Sequence, residues 1–202
     1  MVKTQIQIPE KMETNEIKRV AFFGSADVAQ EDQVCQEVFK AAQTLARKKK
    51  VIVNGGGPGV MEAATRGAES VEGETVAITF YPEDMPEFEG RDSNNQVDVE
   101  IKTANYIERM YGLIYYSDLF ICFQGGTGTL SEWSTAWLLA HLYYGHHKPL
   151  ILFGDFWHEV MEVIGKHFFI GDKEKRVYKI VTTQEELSDA IDQFEAELKQ
   201  RG

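Results

Sequence analysis

The residues with the clearest chemical potential in this sequence lie between Ser117 and Glu132. Leu119 to Phe123 is almost entirely apolar, which is typical of a strand that is buried on both faces. A turn of small residues follows it: Gly125, Gly126, Thr127, Gly128 and Thr129. Glycine lets a ligand approach the backbone closely, and a helix N-terminus presents free N–H groups, so this pattern predicts an anion site. Glu132 would lie in the first turn of that helix, beside the anion.

A second glycine-rich turn follows a short predicted strand at Val51 to Val53. This turn and the start of the next helix, which is predicted at Pro58, contain Gly55, Gly56, Gly57, Gly59, Val60 and Met61. Neither turn has the last glycine of the dinucleotide fingerprint or the Lys-Ser/Thr ending of a P-loop. Two such turns on adjacent strand ends favour a mononucleotide as the ligand.

The two turns resemble the signature sequences of the LOG family. Gln124 to Glu132 is similar to the family's PGGxGTxxE motif, and Gly55 to Ala64 is similar to a second hallmark. This family comprises the cytokinin riboside 5′-monophosphate phosphoribohydrolases and bacterial relatives that were long mislabelled as lysine decarboxylases. The resemblance covers residues 18 to 170. The sequence departs from the family at Gln124, where a proline is usual, and at Met110, where a lysine is usual.

The resemblance implies a reaction and roles for individual residues. Family members release a free base and ribose 5-phosphate from a nucleoside 5′-monophosphate without a metal, and they are typically dimers with sites near the interface. Glu132 aligns with the family's catalytic glutamate, and Arg109 aligns with its catalytic arginine. Gly24 and Ser25 correspond to the Gly-Ser pair that ends the first strand in the relatives. These two residues and both glycine turns would bind the nucleotide.

Two of these side chains also have structural interpretations. Thr129 and Glu132 have the spacing of a capping box, in which the glutamate bonds back to the first amide of the helix. A catalytic Glu132 would instead stabilise the positive charge that develops at C1′, or would activate water. Arg109 could be a solvated helix residue, or its planar guanidinium could bind the phosphate or the leaving base.

Composition narrows the possible partners. The formal net charge of −11 argues against nucleic acid, because phosphate backbones bind basic surfaces.

Cys35 and Cys122 lie in a predicted helix and a predicted buried strand, which fits a reducing cytoplasm rather than a disulfide framework. No apolar stretch is long enough to span a membrane, and the N-terminus lacks a signal-peptide pattern. The histidines show no metal-binding spacing, and His146 and His147 are expected to be solvated, so we expect neither metal nor cofactor.

Strand and helix patterns alternate along the chain, which predicts an α/β fold. Strands are predicted at Arg19 to Phe23, Val51 to Val53, Thr75 to Phe80, Val97 to Ile101, Leu119 to Phe123, Leu150 to Phe153 and Tyr178 to Val181. We expect a Rossmann-like three-layer fold with a parallel sheet and helices on both faces, in which ligands bind beyond the carboxyl ends of the strands. Residues 1–17 are expected to form a flexible N-terminal arm, and residues 18–202 a single nucleotide-binding domain.

Three further segments have predicted roles in packing or in covering the site. A helix from Thr103 to Tyr116 is expected to turn Ile107, Met110, Tyr111 and Ile114 inward. The helix that follows the turn from Gly125 to Thr129 is expected to bury Leu130, Trp133, Trp137 and Leu138 on one face. Its aromatic residues are typical of helix packing or of a dimer face. The long loop from Tyr81 to Gln96 could lie over the site.

Two functions from different classes fit these patterns. The first is a cytoplasmic, homodimeric phosphoribohydrolase that acts on AMP-like or cytokinin riboside monophosphates. The second is a non-catalytic carrier or sensor of a nucleotide or a phosphorylated cofactor. Glu132 and Arg109 favour the enzyme, whereas the departures at Gln124 and Met110 keep the carrier open.

Overall fold

The computed structural model describes residues 14–82 and 91–200. Its strands are β1 (Arg19–Phe23), β2 (Val51–Asn54), β3 (Thr75–Thr79), β4 (Val99–Lys102), β5 (Leu119–Cys122), β6 (Leu150–Phe153) and β7 (Tyr178–Val181). Its helices are α1 (Gln33–Arg47), α2 (Val60–Glu69), α3 (Tyr106–Tyr116), α4 (Thr127–Leu142), α5 (Phe156–His167), α6 (Asp172–Lys175) and α7 (Gln184–Lys199). Residues 1–13 of the predicted N-terminal arm and residues 83–90 of the predicted loop lie outside the described residues.

The seven strands form one parallel sheet in the order β4-β3-β2-β1-β5-β6-β7. The chain winds outward from β1 to β4 and then crosses back to place β5 on the other side of β1. This order confirms the predicted α/β fold and creates a topological switch point between β1 and β5. The expectation that the two glycine turns lie on adjacent strands is wrong, because β1 separates β2 from β5.

Two apolar clusters lie on opposite faces of the sheet. Successive residues of β1 point to opposite faces: Val20 and Phe22 join one cluster, while Ala21 and Phe23 join the other. Helices α1, α2 and α7 cover the first face, and α3, α4 and α5 cover the second. The sheet is therefore enclosed between two helical layers, as predicted. No helix within the described ranges is long and apolar enough to cross a membrane.

The inward faces of two helices differ from the prediction. On α3, Ile107 is exposed, whereas Ile114 is buried as expected. On α4, the predicted pair of buried tryptophans is confirmed, but Leu130 and Leu138 are each 55% exposed. The buried face of α4 consists of Thr129, Glu132, Trp133, Ala136, Trp137 and Ala140. This stripe is rotated away from both leucines because Thr129 and Glu132 face the strand ends rather than solvent.

The end of the sheet opposite the glycine turns is held by an acidic side chain. Asp118, just before β5, accepts hydrogen bonds from the backbone N–H of Arg19 (2.9 Å) and from its guanidinium (3.1 Å).

Ile17 is fully buried, and the Thr14 N–H donates to His146 O at 3.0 Å, so residues 14–17 pack against the domain. His147 is also buried, which corrects the expectation that both histidines are solvated.

Candidate functional site

A cavity opens at the switch point, beyond the carboxyl ends of β1 and β5. One wall is the loop after β1, and another is the N-terminus of α4, while α3 contributes three side chains. Its lining residues are Phe22, Gly24, Ser25, Ala26, Asp27, Gly55, Met61, Tyr106, Arg109, Leu113, Gly126, Thr127, Gly128, Thr129 and Glu132. Parallel α/β sheets bind ligands at this position, because here adjacent loops diverge to opposite faces and leave a crevice.

The N-terminus of α4 forms one side of the cavity. Gly126 is the N-cap residue and offers no side chain to cap the first amides, so the end of the helix faces the cavity with its positive dipole end. A Cβ built on Gly126 would meet no described atom within 4 Å, whereas one built on Gly125 would overlap Oγ1 of Thr129. Packing therefore accounts for Gly125, and the open space at Gly126 is available to a ligand.

Glu132 lies one turn further into α4 than the sequence indicated. The helix begins at Thr127 after its N-cap Gly126, so Glu132 is in the second turn and faces the cavity. The capping-box interpretation of Thr129 and Glu132 is therefore wrong, because Thr129 is itself inside the helix. Glu132 as a whole residue is 7% exposed, and burial raises the pKa of its carboxyl to about 7, against the opposing effect of Arg109.

Arg109 of α3 is buried beside Glu132, rather than solvated. Its Nη1 lies 3.8 Å from Oε1 of Glu132, and its Nη2 donates a hydrogen bond to the Gly55 carbonyl at 3.2 Å. The guanidinium also lies over the ring of Tyr106, with its carbon 5.8 Å from the ring centroid. Its Nε is buried and has no hydrogen-bond partner among the described residues.

The turn from Gly55 to Gly57 directs its backbone groups at the protein rather than at the cavity. The N–H of Gly56 donates to Oδ1 of Asn54 at 2.8 Å, and the N–H of Gly57 donates to the sulfur of Met61 at 3.4 Å. The carbonyls of Gly55, Gly56 and Gly57 all accept hydrogen bonds from protein groups. This turn therefore positions Arg109 and leaves the α4 N-terminus to present free amides.

The structure brings most of the predicted site residues together. Those that line the cavity are Gly24, Ser25, Gly55, Met61, Arg109, Gly126, Thr127, Gly128, Thr129 and Glu132. Those that do not line it are Gly56, Gly57, Gly59, Val60 and Gly125. Helix α2 begins at Val60, two residues after the predicted start at Pro58. Its N-cap residue, Gly59, adopts a positive φ of 63°. The Val60 N–H donates to Ser25 O at 2.9 Å, so these residues support the loop after β1 instead.

Sequence reasoning missed Asp27 and Tyr106, which also line the cavity. Asp27 lies two residues after the predicted Gly24-Ser25 pair, in the segment between β1 and the start of α1 at Gln33. The rule that ligands bind beyond strand ends could have identified it. Tyr106 gives no such signal, because its hydroxyl reaches the site only through the packing of α3 on α4, where it lies 3.5 Å from Oγ of Ser131.

The arrangement combines an uncapped helix N-terminus, a buried cation and a carboxyl group that titrates near neutral pH. An anionic group would bind the helix N-terminus and Arg109, while Glu132 could accept or donate a proton next to it. Among residues 14–82 and 91–200, no cluster of three or more His, Cys, Asp or Glu side chains is arranged to hold a metal.

The sheet order and the enclosing helices define a Rossmann-like α/β protein with a cavity at the switch point. The chain belongs to the SLOG cluster4 family, whose sequence model matches residues 18–187. This match confirms the resemblance to the LOG group that the two glycine turns indicated.

Three known proteins illustrate the similarity of this chain in sequence or in fold. An uncharacterised protein of Archaeoglobus fulgidus is 32% identical over 102 residues, a match that spans 50% of this chain and 63% of the relative. The molybdenum cofactor binding protein of Rippkaea orientalis has a TM-score of 0.65 at 24% identity, over 89% of this chain and 98% of that one. DNA processing protein A of Helicobacter pylori, which binds single-stranded DNA, has a TM-score of 0.57 at 19% identity, over 87% of this chain and 81% of that one. At these identities the two structures show a shared fold.

Proposed function

We propose that this protein binds a nucleotide or a phosphorylated cofactor in the switch-point cavity. The observation that carries the proposal is the α4 N-terminus, which is uncapped at Gly126 and lies in the same cavity as the buried Arg109. The ligand phosphate binds the first amides of α4 and the guanidinium, because both favour an anion in a partly desolvated site. The Rippkaea orientalis protein, which binds the molybdenum cofactor, supports a ligand that is carried without turnover.

The remaining cavity residues suit the sugar and ring portions of such a ligand. Asp27 is an acceptor for hydroxyl or amino groups, and Tyr106 and Leu113 offer apolar surface. The negative overall charge and the small size of the cavity favour a single small ligand over a nucleic acid strand.

Substitution of Gly126 tests the proposal. Because a Cβ there meets no described atom within 4 Å and φ is −90°, Gly126→Leu is expected to fold normally while it fills the ligand space. We expect isothermal titration with AMP to show at least a tenfold loss of affinity relative to the unchanged protein. Gly165→Leu is the matched control, because a Cβ at Gly165 on α5 also meets nothing within 4 Å. Wild-type affinity in Gly126→Leu, or no binding of any phosphorylated compound by the unchanged protein, would refute the proposal.

A second function, hydrolysis of an N-glycosidic bond, is favoured by the Arg109–Glu132 pair. In this reaction water adds to C1′ of a nucleoside 5′-monophosphate, the bond to the base breaks, and free base and ribose 5-phosphate leave. Glu132 stabilises the positive charge at C1′ or takes the proton from water, and its pKa of about 7 suits proton transfer at neutral pH. Arg109 binds the phosphate or orients the leaving base.

Chromatographic measurement of base release from a panel of nucleoside monophosphates separates the two functions. We expect Glu132→Gln to abolish release while it keeps binding, since glutamine retains the shape and one acceptor. Undiminished release by Glu132→Gln would remove Glu132 from the chemistry. Binding without release by the unchanged protein would leave the carrier as the function.

We also propose that the protein is a homodimer in which α4 contributes to the interface. Leu130, Leu138 and Leu142 are all more than half exposed and follow one side of that helix. Because α4 also carries Glu132, the interface would lie close to the site.

A further inference from the structure

Asn95 is completely buried against the turn from Gly55 to Gly57. Its Nδ2 donates to the carbonyl of Gly57 at 2.8 Å and also reaches Oδ1 of Asn54 at 3.4 Å. Asn54 is buried as well, and the same Oδ1 accepts the Gly56 N–H. Two buried amides therefore hold this turn on both its donor and its acceptor groups.

The segment that contains Asn95 contacts the turn at a second place. The N–H of Asp92 donates to the carbonyl of Gly56 at 2.9 Å, and Nη1 of Arg91 lies 3.4 Å from the same oxygen. Arg91 is itself paired with Glu100 of β4, at 3.4 Å. The turn is thus tied to the edge of the sheet through Arg91 and Asp92.

The turn positions Arg109 in two ways. The Gly55 carbonyl accepts the hydrogen bond from Nη2, and the missing side chain of Gly55 leaves the space that the guanidinium fills. A shift of the turn would therefore move the guanidinium relative to Glu132, which is 3.8 Å away.

Packing alone does not explain an asparagine at position 95. Its Oδ1 has no hydrogen-bond partner among the described residues, and a buried unpaired carbonyl is destabilising. An apolar residue of similar size would avoid that cost, but it would leave the Gly57 carbonyl without its donor.

We infer that Asn95 is a positioning residue for the candidate site, which holds Arg109 against Glu132 through the Gly55–Gly57 turn. The inference rests on the proposed function only in taking Arg109 and Glu132 as the groups that face the ligand. Asn95 itself does not line the cavity, so its effect on a ligand is transmitted through Arg109.

The titration of Glu132 without ligand tests this inference directly. The groups that interact electrostatically with Glu132 are the Arg109 guanidinium and the buried Cys122 thiol. Carbon-13 NMR of labelled glutamate side chains, assigned with Glu132→Gln, would follow the pKa in Asn95→Ala, Arg109→Met and the double variant. Because Arg109 lowers the pKa of Glu132, both single variants should raise it, and the double variant should match Arg109→Met. Asn94→Ala, at the exposed neighbouring asparagine, should leave it unchanged.

A pKa in Asn95→Ala equal to that of the unchanged protein, or additive shifts in the double variant, would overturn the inference. If Asn95→Ala does not fold, Asn95→Leu keeps the approximate volume and removes the donor without adding a charge, and the same shift is expected. A parallel AMP titration should show a loss of affinity in Asn95→Ala that disappears in the Arg109→Met background. If the unchanged protein binds no phosphorylated compound, the proposed function fails, but the ligand-free titration still decides the role of Asn95.

Discussion

The guanidinium of Arg109 occupies the space in which a side chain on Gly55 would stand. A Cβ built on Gly55 would overlap Nη2 and would lie 2.5 Å from Cζ of Arg109. The first glycine of the second motif therefore makes room for an arginine of the protein itself. This contact joins the turn after β2 to α3, and through Arg109 to Glu132 on α4.

Gly55→Ala is expected to weaken both stability and ligand binding. The new methyl group displaces the guanidinium or shifts the turn, and overpacking of this kind costs about 1–3 kcal/mol. Chemical denaturation should show that loss, and AMP titration should show a fall in affinity of at least tenfold. Gly165→Ala, in an open position on α5, is the control and should be neutral or slightly stabilising. An unchanged AMP affinity in Gly55→Ala would show that Arg109 does not contact the ligand.

The raised pKa of Glu132 predicts a specific dependence of stability on pH. Because the folded carboxyl has a pKa of about 7 against an ordinary value of 4.5, the folded state holds this proton more tightly than the unfolded state. The contribution of Glu132 to stability is therefore complete below pH 4.5 and is lost as the pH rises through 7. A shift of this size corresponds to about 3 kcal/mol.

Comparing the stability of Glu132→Gln with that of the unchanged protein isolates the contribution of Glu132, because all other groups titrate in both proteins. Urea unfolding at pH 5 and pH 8 should show that the variant gains stability relative to the unchanged protein as the pH rises. A difference between the two proteins that stays constant across this range would indicate an ordinary, low pKa for Glu132.

If the phosphate anchors the ligand, AMP should bind far more tightly than adenosine. Charge-assisted hydrogen bonds contribute about 1.5–3 kcal/mol each, so two of them predict at least a hundredfold difference in affinity. ATP should bind poorly, because the site lacks a P-loop lysine for the additional phosphates. Calorimetric titration of the three ligands at equal ionic strength measures this. Equal affinities for AMP and adenosine would place the binding energy in the base and ribose.

Leu138→Glu should dissociate the proposed homodimer by placing a charge in the apolar stripe of α4. Light scattering at micromolar concentration should then report a monomer, while the unchanged protein reports a dimer. Val99→Glu, at a comparably exposed position on the edge strand β4, should leave the dimer intact. A monomeric unchanged protein that still binds its ligand would rule out a dimer as a requirement of the site.

The sequence by itself determined the fold class and most of the site. Strand-length apolar runs that alternate with helical patterns predicted the parallel sheet, because a strand buried on both faces must be apolar throughout. Gly126 to Thr129 and Glu132 could be placed at a helix start from their order alone, since a strand, a glycine turn and a helix are local features. The family resemblance added Arg109, which no local pattern distinguishes from a solvated arginine.

Only the tertiary structure decided which of these residues meet. The crossover that places β1 between β2 and β5 is a long-range feature, so the sequence could not show that a strand separates the two glycine turns. Because α4 begins directly after Gly126, Glu132 is not in the capping position. The packing of Thr129 and Trp133, rather than sequence spacing, sets the start of this helix. The contact between Gly55 and Arg109 joins residues 54 positions apart, and it exists only because α3 packs over the strand ends.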